Sequence, residues 1–260
     1  MTKLFYSIAF FLILLTGCRH NQVSNVKIIS LNGNYYKWNF VKGDTTKIEY
    51  DYVHAAYEDL LIVGNKTDNK IINYGVINLD NELIIPIEYP LIDEYRDGYF
   101  IFGIGALEAI VKIDETTQVF NEEKVERMGV IDKNGQIIIP PKYKKLKNLG
   151  KGLFAFRNVS FLGYSPELGL HRARYGIIDL NENVLCENKF TEIFGFTDDN
   201  IARAMIQGGS QVENTEDYLY IDKNCIPIGD KTYEEVLPFY EGLGAIKLDG
   251  KWGFIIDDRI

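Results

Sequence analysis

The sequence predicts an all-β protein: a repeat array of five three-stranded antiparallel units in an open superhelical stack, with a closed five-bladed β-propeller as the alternative arrangement. Three observations lead there. Tyr (17) and Phe (15) are plentiful, and Asn, Asp and Gly recur between apolar runs, a composition that favours strands joined by tight turns. One pattern recurs without internal insertion at 35–63, 74–102, 128–156, 175–203 and 218–246. All variation in length falls between these cores, in the linkers 64–73, 103–127, 157–174, 204–217 and 247–251. In a stacked array, insertions at one place in the repeat project from one face or edge.

The register rests on an anchor Asp or Asn after an apolar pair: Asn39, Asn78, Asp132, Asp179 and Asp222. At a fixed spacing beyond it stands an aromatic, Tyr50, Tyr89, Tyr143, Phe190 or Tyr233. An aliphatic follows, Val53, Ile92, Leu146, Ile193 or Val236, and then Ala56, Tyr95, Leu149, Phe196 or Phe239. The third strand starts shortly after, as in Leu153–Phe156. Repetition of the whole series makes stacking and turn chemistry the first explanation of these residues.

The middle copy, Met128–Phe156, shows the expected physics. Asn134-Gly135 predicts a type I′ hairpin, with Asp132 capping the turn. Ile137–Ile139 is a continuous apolar run, which suits a strand buried on both faces. Pro140 and Pro141 lack the N–H that a ladder needs, so the strand stops there or lies at an edge. Tyr143, Leu146 and Leu149 are spaced by three, as in a helical turn or a coil laid over the core. Asp249-Gly250 predicts a second type I′ turn.

The N-terminus carries an address. Lys3 is followed by Leu4–Leu15, apolar apart from Ser7, too short for an ordinary membrane span and suited to a signal-peptide core. Leu15-Thr16-Gly17-Cys18 resembles the lipobox of bacterial lipoproteins. The resemblance implies that Cys18 is lipidated, that the leader 1–17 is removed, and that 18–30 are the lipidated cysteine and a tether. The alternative is an ordinary signal peptide with a chance cysteine. Arg19 follows, and no acid occurs in 19–27. By resemblance this implies a lipid-anchored outer-membrane protein on the periplasmic face, with surface display second. Several acyl chains on one residue suffice for stable anchoring.

Residues 242–255, GLGAIKLDGKWGFI, together with Met128–Tyr143, resemble WG-repeat proteins. The resemblance spans 31–257, with a partial unit at 252–257. Trp252 is the motif tryptophan, and Tyr35, Tyr74, Met128, Tyr175 and Tyr218 take its place elsewhere. The following glycine is kept at Gly75, Gly129, Gly176 and Gly253 but is Tyr36 and Leu219 in the first and fifth units. The resemblance implies a repeat module of bacterial, often exported, proteins with no assigned catalysis, and it supplies no functional residues.

The formal charge of -9 gives no basic footprint, so nucleic acid is not an expected partner. His20, His54 and His171 have no paired spacing, so no metal is expected. Asp132-Lys133-Asn134-Gly135 opens like a calcium loop but lacks the distal Glu. Ser165, near His171, lacks the glycines of a nucleophile elbow. The acids of the 103–127 linker (Asp114, Glu115, Glu122, Glu123, Glu126) read as a solvated loop rather than a glycosidase pair. Cys186 and Cys225 occupy non-equivalent register positions, so idle thiols are expected before a disulfide. No catalytic residue and no cofactor is expected. The expected function is a non-catalytic protein-interaction or scaffold module that meets the membrane through its lipid and binds a protein or an envelope polymer. Glycan binding by linker aromatics is the alternative, and a hydrolase is a distant third. The candidate binding residues are Phe120, Phe161 and Tyr164, since loops on a rigid scaffold disproportionately carry function.

Overall fold

The computed structural model describes residues 26–57, 59–67, 72–105, 126–158, 164–165, 169–170, 174–207 and 216–257. Every regular element among them is a strand. The first sheet is β1 (Val26–Leu31), β2 (Asn34–Asn39) and β3 (Asp44–Ile48). The second is β4 (Tyr52–Tyr57), β5 (Leu60–Lys66), β6 (Ile72–Asn78) and β7 (Leu83–Tyr89). The third is β8 (Leu91–Arg96), β9 (Tyr99–Ile104), β10 (Arg127–Asp132) and β11 (Ile137–Tyr143). The fourth holds β12 (Lys145–Gly150) and β13 (Leu153–Arg157), then, beyond a small hairpin of β14 (Tyr164–Ser165) and β15 (Gly169–Leu170), β16 (Tyr175–Asp179) and β17 (Val184–Phe190). The fifth is β18 (Glu192–Ile193), β19 (Ala202–Gln207), β20 (Glu216–Ile221) and β21 (Pro227–Tyr233). The last is β22 (Glu235–Val236), β23 (Leu243–Leu248) and β24 (Lys251–Ile256). All pairings are antiparallel between neighbours in each sheet. β1 begins inside the segment expected to be a tether.

The sequence unit and the sheet are out of phase. Unit 128–156 supplies β10 and β11 to one sheet and β12 and β13 to the next. Each unit therefore has four strands rather than the expected three. The segment expected as a helical turn or coil is the inner strand, β8 or β12. Its period of three comes from a bulge. Asn148 pairs with Phe154 and Gly150 with Leu153, which leaves Leu149 over as the extra residue. The bulge adds one residue to the two-residue alternation, so Leu146 and Leu149 both become buried. β11 runs through Pro140 and Pro141 because it is an edge strand, paired with β10 alone. Its run is not buried on both faces: Ile139 is buried while Ile137 is exposed.

Turn chemistry follows the anchor. Asp132 Oδ1 accepts the N–H groups of Asn134 (2.9 Å) and Gln136 (2.8 Å), while Gly135 N–H bonds back to Asp132 O (3.0 Å). Gly135 has φ +86°, and Asn134 is not left-handed. The turn is thus a type I turn closed by a left-handed residue, not the expected type I′. Asp179 and Asp222 cap in the same way, with Glu182 (φ +62°) and Cys225 (φ +61°) in the left-handed place. Asp249-Gly250 does form the expected type I′ turn, with φ +50° and +70°. Gly129 is required for a different reason. A Cβ there would lie 2.5 Å from Ile139 O and 2.9 Å from Pro141 N. The ladder shifts register across this residue, between Met128 and Val130, so the motif glycine is where the edge strand crowds the strand beside it.

The core lies between sheets. Five apolar clusters fill the five joints. At one joint Met128 and Val130 from the third sheet meet Phe154, Phe156 and Ile178 from the fourth. The rule repeats. Each β10-type strand sends its second and fourth residues before the anchor forward, and the residue just before the anchor back. In the first sheet the forward place is taken by Lys37, buried, whose Nζ donates to Leu79 O and to Asn81 Oδ1 (2.8 Å) across the joint. Burial pulls that ammonium's pKa down, against the opposing charge of Asp80.

The same geometry corrects the expectation of idle thiols. Cys186 and Cys225 form a disulfide, with Cα atoms 5.8 Å apart. The left-handed turn residue of one sheet rests on the edge strand of the sheet before it. A Cβ on Gly135 would touch Ile84 O at 2.8 Å and Ile85 Cγ1 at 3.9 Å, and Ile85 stands in its unit where Cys186 stands in the next but one. Non-equivalent positions of successive units therefore face each other. The array is open. Among the described residues β24 pairs with β23 alone, and β1–β3 form a separate sheet. The terminal strand does not complete the first sheet, as the closed alternative required.

Candidate interaction surfaces

The linkers leave the array at one place. Those after β5, β9, β13 and β19 each join the two middle strands of a four-stranded sheet, and the one after β23 joins the corresponding second and third strands of the last sheet, so they emerge from equivalent hairpin ends. The longest is closed at its base by Glu126 N–H, which bonds Ile104 O (2.9 Å). Gly105 (φ +71°) supplies the required backbone, since a Cβ there would fall 2.8 Å from Glu126 Cβ. Of the expected binding residues, Tyr164 lies in β14, paired with Leu170, within a linker hairpin. Phe120, Phe161, Cys18, His20, His171 and the acids Asp114, Glu115, Glu122 and Glu123 lie outside the described residues. Ser165 is paired in β14 with Gly169, and His54 lies in β4. Among the described residues no group of three or more His, Cys, Asp or Glu is placed to hold a metal ion.

The inner strands carry a second polar surface, and its groups bind neighbouring sheets to one another. Arg96 of β8 donates from Nη2 to Phe196 O (2.6 Å). Its guanidinium passes between Gly150 and Gly195, so one side chain ties the third, fourth and fifth sheets. Asn148 donates to Arg96 O (3.0 Å) and Tyr99 O (3.2 Å), and its own N–H reaches Glu94 Oε2 (2.8 Å). Lys147 pairs with Glu192 across the next joint. Lys151 Nζ donates to Asp198 O (3.0 Å) and Asn200 Oδ1 (2.9 Å). On the outer side Glu182 accepts from Tyr143 (2.8 Å) and Lys142 (2.6 Å). Burial works to raise the Glu182 carboxyl, but these two hydrogen bonds and the lysine's charge hold it below its ordinary range.

Two expected results test these ties. Gly195 is not left-handed, so an alanine there is disfavoured by space alone: its Cβ would overlap Arg96 Nη1. Gly195→Ala is expected to destabilise by about 1–3 kcal/mol, read by denaturant unfolding. Arg96→Ala in the same chain should remove the clash but not restore the lost tie. Tyr220, fully buried, hydrogen-bonds through its hydroxyl to Leu237 O (2.6 Å) and Ala245 O (2.8 Å) of the last sheet. Burial raises its pKa to about 12 from 10.0. A raised acid contributes stability that is intact below the unfolded value and is lost as pH climbs towards the folded one. Tyr220→Phe should cost about 1 kcal/mol at neutral pH. The gap from wild type should close between pH 10 and about 12, and a gap that stays constant there would dissociate the hydroxyl from the effect.

Sequence reasoning missed Arg96 and the disulfide. It also missed the surface of β24. Trp252 (52% exposed), Phe254 (74%) and Ile256 (70%) stand out on the last strand. Their register was legible, because Phe254 stands where Val76, Val130, Ile177 and Tyr220 are fully buried.

An all-β array of three- and four-stranded antiparallel meanders, with a crowded glycine at the same place in three of its units (Gly75, Gly129 and Gly176), defines a β-repeat protein. The family described as WG containing repeat matches residues 74–106, 128–158, 175–209 and 230–252, and the chain is a WG-repeat protein. No curated protein matches the chain. Solved structures with similar features include a crystal structure of the eukaryotic initiation factor, at 9% identity and TM-score 0.41, covering 81% of this chain and 63% of that one. Another is the β-propeller domain of the Trilobed protease from Pyrococcus furiosus, at 11% identity and TM-score 0.40, covering 91% of this chain and 78% of that one. This chain thus spans 63% of the length of the first.

Proposed function

We propose that this WG-repeat protein is a lipid-anchored, non-catalytic interaction module of the cell envelope, held through Cys18 on the periplasmic face of the outer membrane. Its linkers present the surface that binds a protein or an envelope polymer. The observation that carries the reading is the division of labour in the array. The polar groups of the inner strands are engaged in ties between sheets, whereas the variable segments all leave from equivalent hairpin ends. A rigid scaffold with variable loops at one edge is a binding architecture. The leader 1–17 and its cysteine motif support the anchor. The Cys186–Cys225 disulfide fits an oxidising compartment.

Cys18→Ala is expected to move the protein from the membrane fraction to the soluble fraction and to abolish incorporation of labelled palmitate. Membrane retention of an unlabelled Cys18→Ala chain would overturn the anchor. Deletion of 106–125 or of 159–173 should remove partners co-purified from envelopes. An unchanged partner set after both deletions would overturn the role of the linkers.

A further inference from the structure

We propose that one rim of the fourth sheet binds a polyanionic glycan of the envelope, a chain carrying carboxylate or phosphate groups, through Lys144, Lys145, Arg174 and Lys189. This rests on the reading that the variable edge of the array binds the partner, and it names the chemistry of that partner. The starting point is a charge pattern that the repeat leaves unexplained. The chain has a formal charge of -9, yet residues 142–157 hold six cations and no acid. The equivalent stretch one unit earlier, 88–103, holds one cation, Arg96, against the acids Glu88, Asp93, Glu94 and Asp97.

Three of the six cations are taken by ties within the array. Lys142 pairs with Glu182 (2.6 Å), Lys147 pairs with Glu192, and Lys151 donates to Asn200 Oδ1 (2.9 Å). Lys144, Lys145, Arg174 and Lys189 pair with no carboxylate among the described residues. The register brings them to one end of the sheet. Lys145 stands opposite Arg157 where β12 meets β13, and Tyr175 stands opposite Phe190 at the same end of β16 and β17. β13 and β16 lie side by side. Lys144, Arg174 and Lys189 are chain neighbours of these residues, and Arg174 Nη1 donates to Lys189 O (3.3 Å). Arg157 and Arg174 are also the first and last residues of the linker 157–174. Two acids face this rim. Glu192 is held by Lys147, and Glu94 accepts the Asn148 N–H (2.8 Å).

Cations gathered at one rim make a local positive field on a protein that is negative as a whole. Each of the four strands supplies one cation at this end: Lys145, Arg157, Arg174 and Lys189. The row therefore spans roughly 15 Å at the usual strand spacing. A row of that kind meets charges that recur along an extended polymer, whose sugar residues are comparable in length to one strand spacing. Arginine adds paired N–H donors that suit carboxylate and phosphate alike. The acidic remainder of the surface repels a polyanion, which confines contact to this rim. The linker 103–127 also opens here, since Met128 stands opposite Tyr143, two residues before Lys145. A rim from which two linkers leave favours a thin chain over a flat bilayer.

Affinity electrophoresis of the full chain in mild detergent tests this, with polygalacturonate and inorganic polyphosphate as polyanions and dextran as the neutral polymer. Wild type is expected to be retarded by a polyanion and not by dextran, and added salt should weaken the effect. The rim variant Lys145→Gln, Arg174→Gln, Lys189→Gln should bind roughly 10-fold more weakly, the summed worth of three exposed charge pairs. The control variant Lys42→Gln, Lys223→Gln, Lys251→Gln changes net charge equally at exposed sites on other sheets and should bind as wild type does. Wild type retarded by neither polyanion would overturn the proposal. So would a rim variant that weakens no more than the control. On a Cys18→Ala background, a rim variant that keeps its polymer binding but loses binding to phosphatidylglycerol vesicles would assign the rim to a lipid surface and overturn it too. Chains lacking 106–125 or 159–173 keep all these cations. Polymer binding lost in the rim variant but kept in both deletions, with co-purified partners also unchanged, would sustain this proposal while the linker reading fails. Partners lost on deletion, with no polymer binding by wild type, would do the reverse.

Discussion

Replacing Cys186 and Cys225 together by alanine is expected to lower stability by about 4 kcal/mol, the effect of opening a loop of 39 residues in the chain-entropy account. Both residues are buried in the apolar cluster at the joint of the fourth and fifth sheets, so removing the sulfurs adds a packing loss to the entropic one. Reductant should reproduce most of this loss in wild type and do nothing to the double variant. The loss should be local in its consequences. Gly135 over Ile84 and Ile85 occupies the same kind of contact with no covalent bond, so such a joint stands without a cross-link. The reduced protein should therefore keep its strands while the joint between the fourth and fifth sheets opens more readily. Hydrogen exchange at Ile177 and Ile221, on either side of that joint, should rise on reduction, with Val76 and Phe100 unaffected. Identical denaturation midpoints with and without reductant would show that the bond contributes nothing to the fold.

The disulfide also marks where the sequence stops being legible. The repeat, its anchor aspartates and its capped turns were readable, because each is a local matter: Asp132, Asn134 and Gly135 lie within one turn and bond to one another. The inner strand was not readable, because its bulge turns a period of two into a period of three. Leu146 and Leu149 then look like one side of a helical turn. The facing of Cys186 and Cys225 needed knowledge of the half-unit offset between sequence repeat and sheet. That offset is set by how long strands from different units pair, and nothing in one unit states it. Arg96 was hidden for a similar reason. Its partners Gly150, Gly195 and Phe196 belong to the next two sheets. Trp252 carried the family motif, which drew notice to its identity. Its exposure is a property of its position on the last of the described sheets, where none of the described residues supplies the sheet that buries its equivalents.

Phe239→Ala is expected to cost about 3–5 kcal/mol, and to do so at one end of the molecule. Phe239 is fully buried. Its ring meets Tyr220 edge to face at 5.2 Å and lies so close to Gly244 that a Cβ there would be 2.6 Å from Cδ2. The ring fills the space left by the glycine hydrogen and braces the last sheet on the fifth. Truncation leaves a cavity in the joint with the fifth sheet, which among the described residues is the one joint that holds the last sheet. In a stack, stability is a sum of repeat and nearest-neighbour terms, so the loss falls on β22–β24 and is not shared by sheets farther along. Phe154→Ala removes an equally buried ring from the joint of the third and fourth sheets, but those sheets are held from both sides. The two variants should therefore differ in kind. In Phe239→Ala, amide exchange should accelerate at Ile246 and Leu248 while Val130 and Ile178 keep their protection, because terminal units open below the free energy of global unfolding. In Phe154→Ala, protection should fall on both sides of the cavity together. Equal loss of protection at Val130 and Ile246 in Phe239→Ala would mean that the array unfolds as one cooperative block, and the nearest-neighbour description of its joints would have to be abandoned.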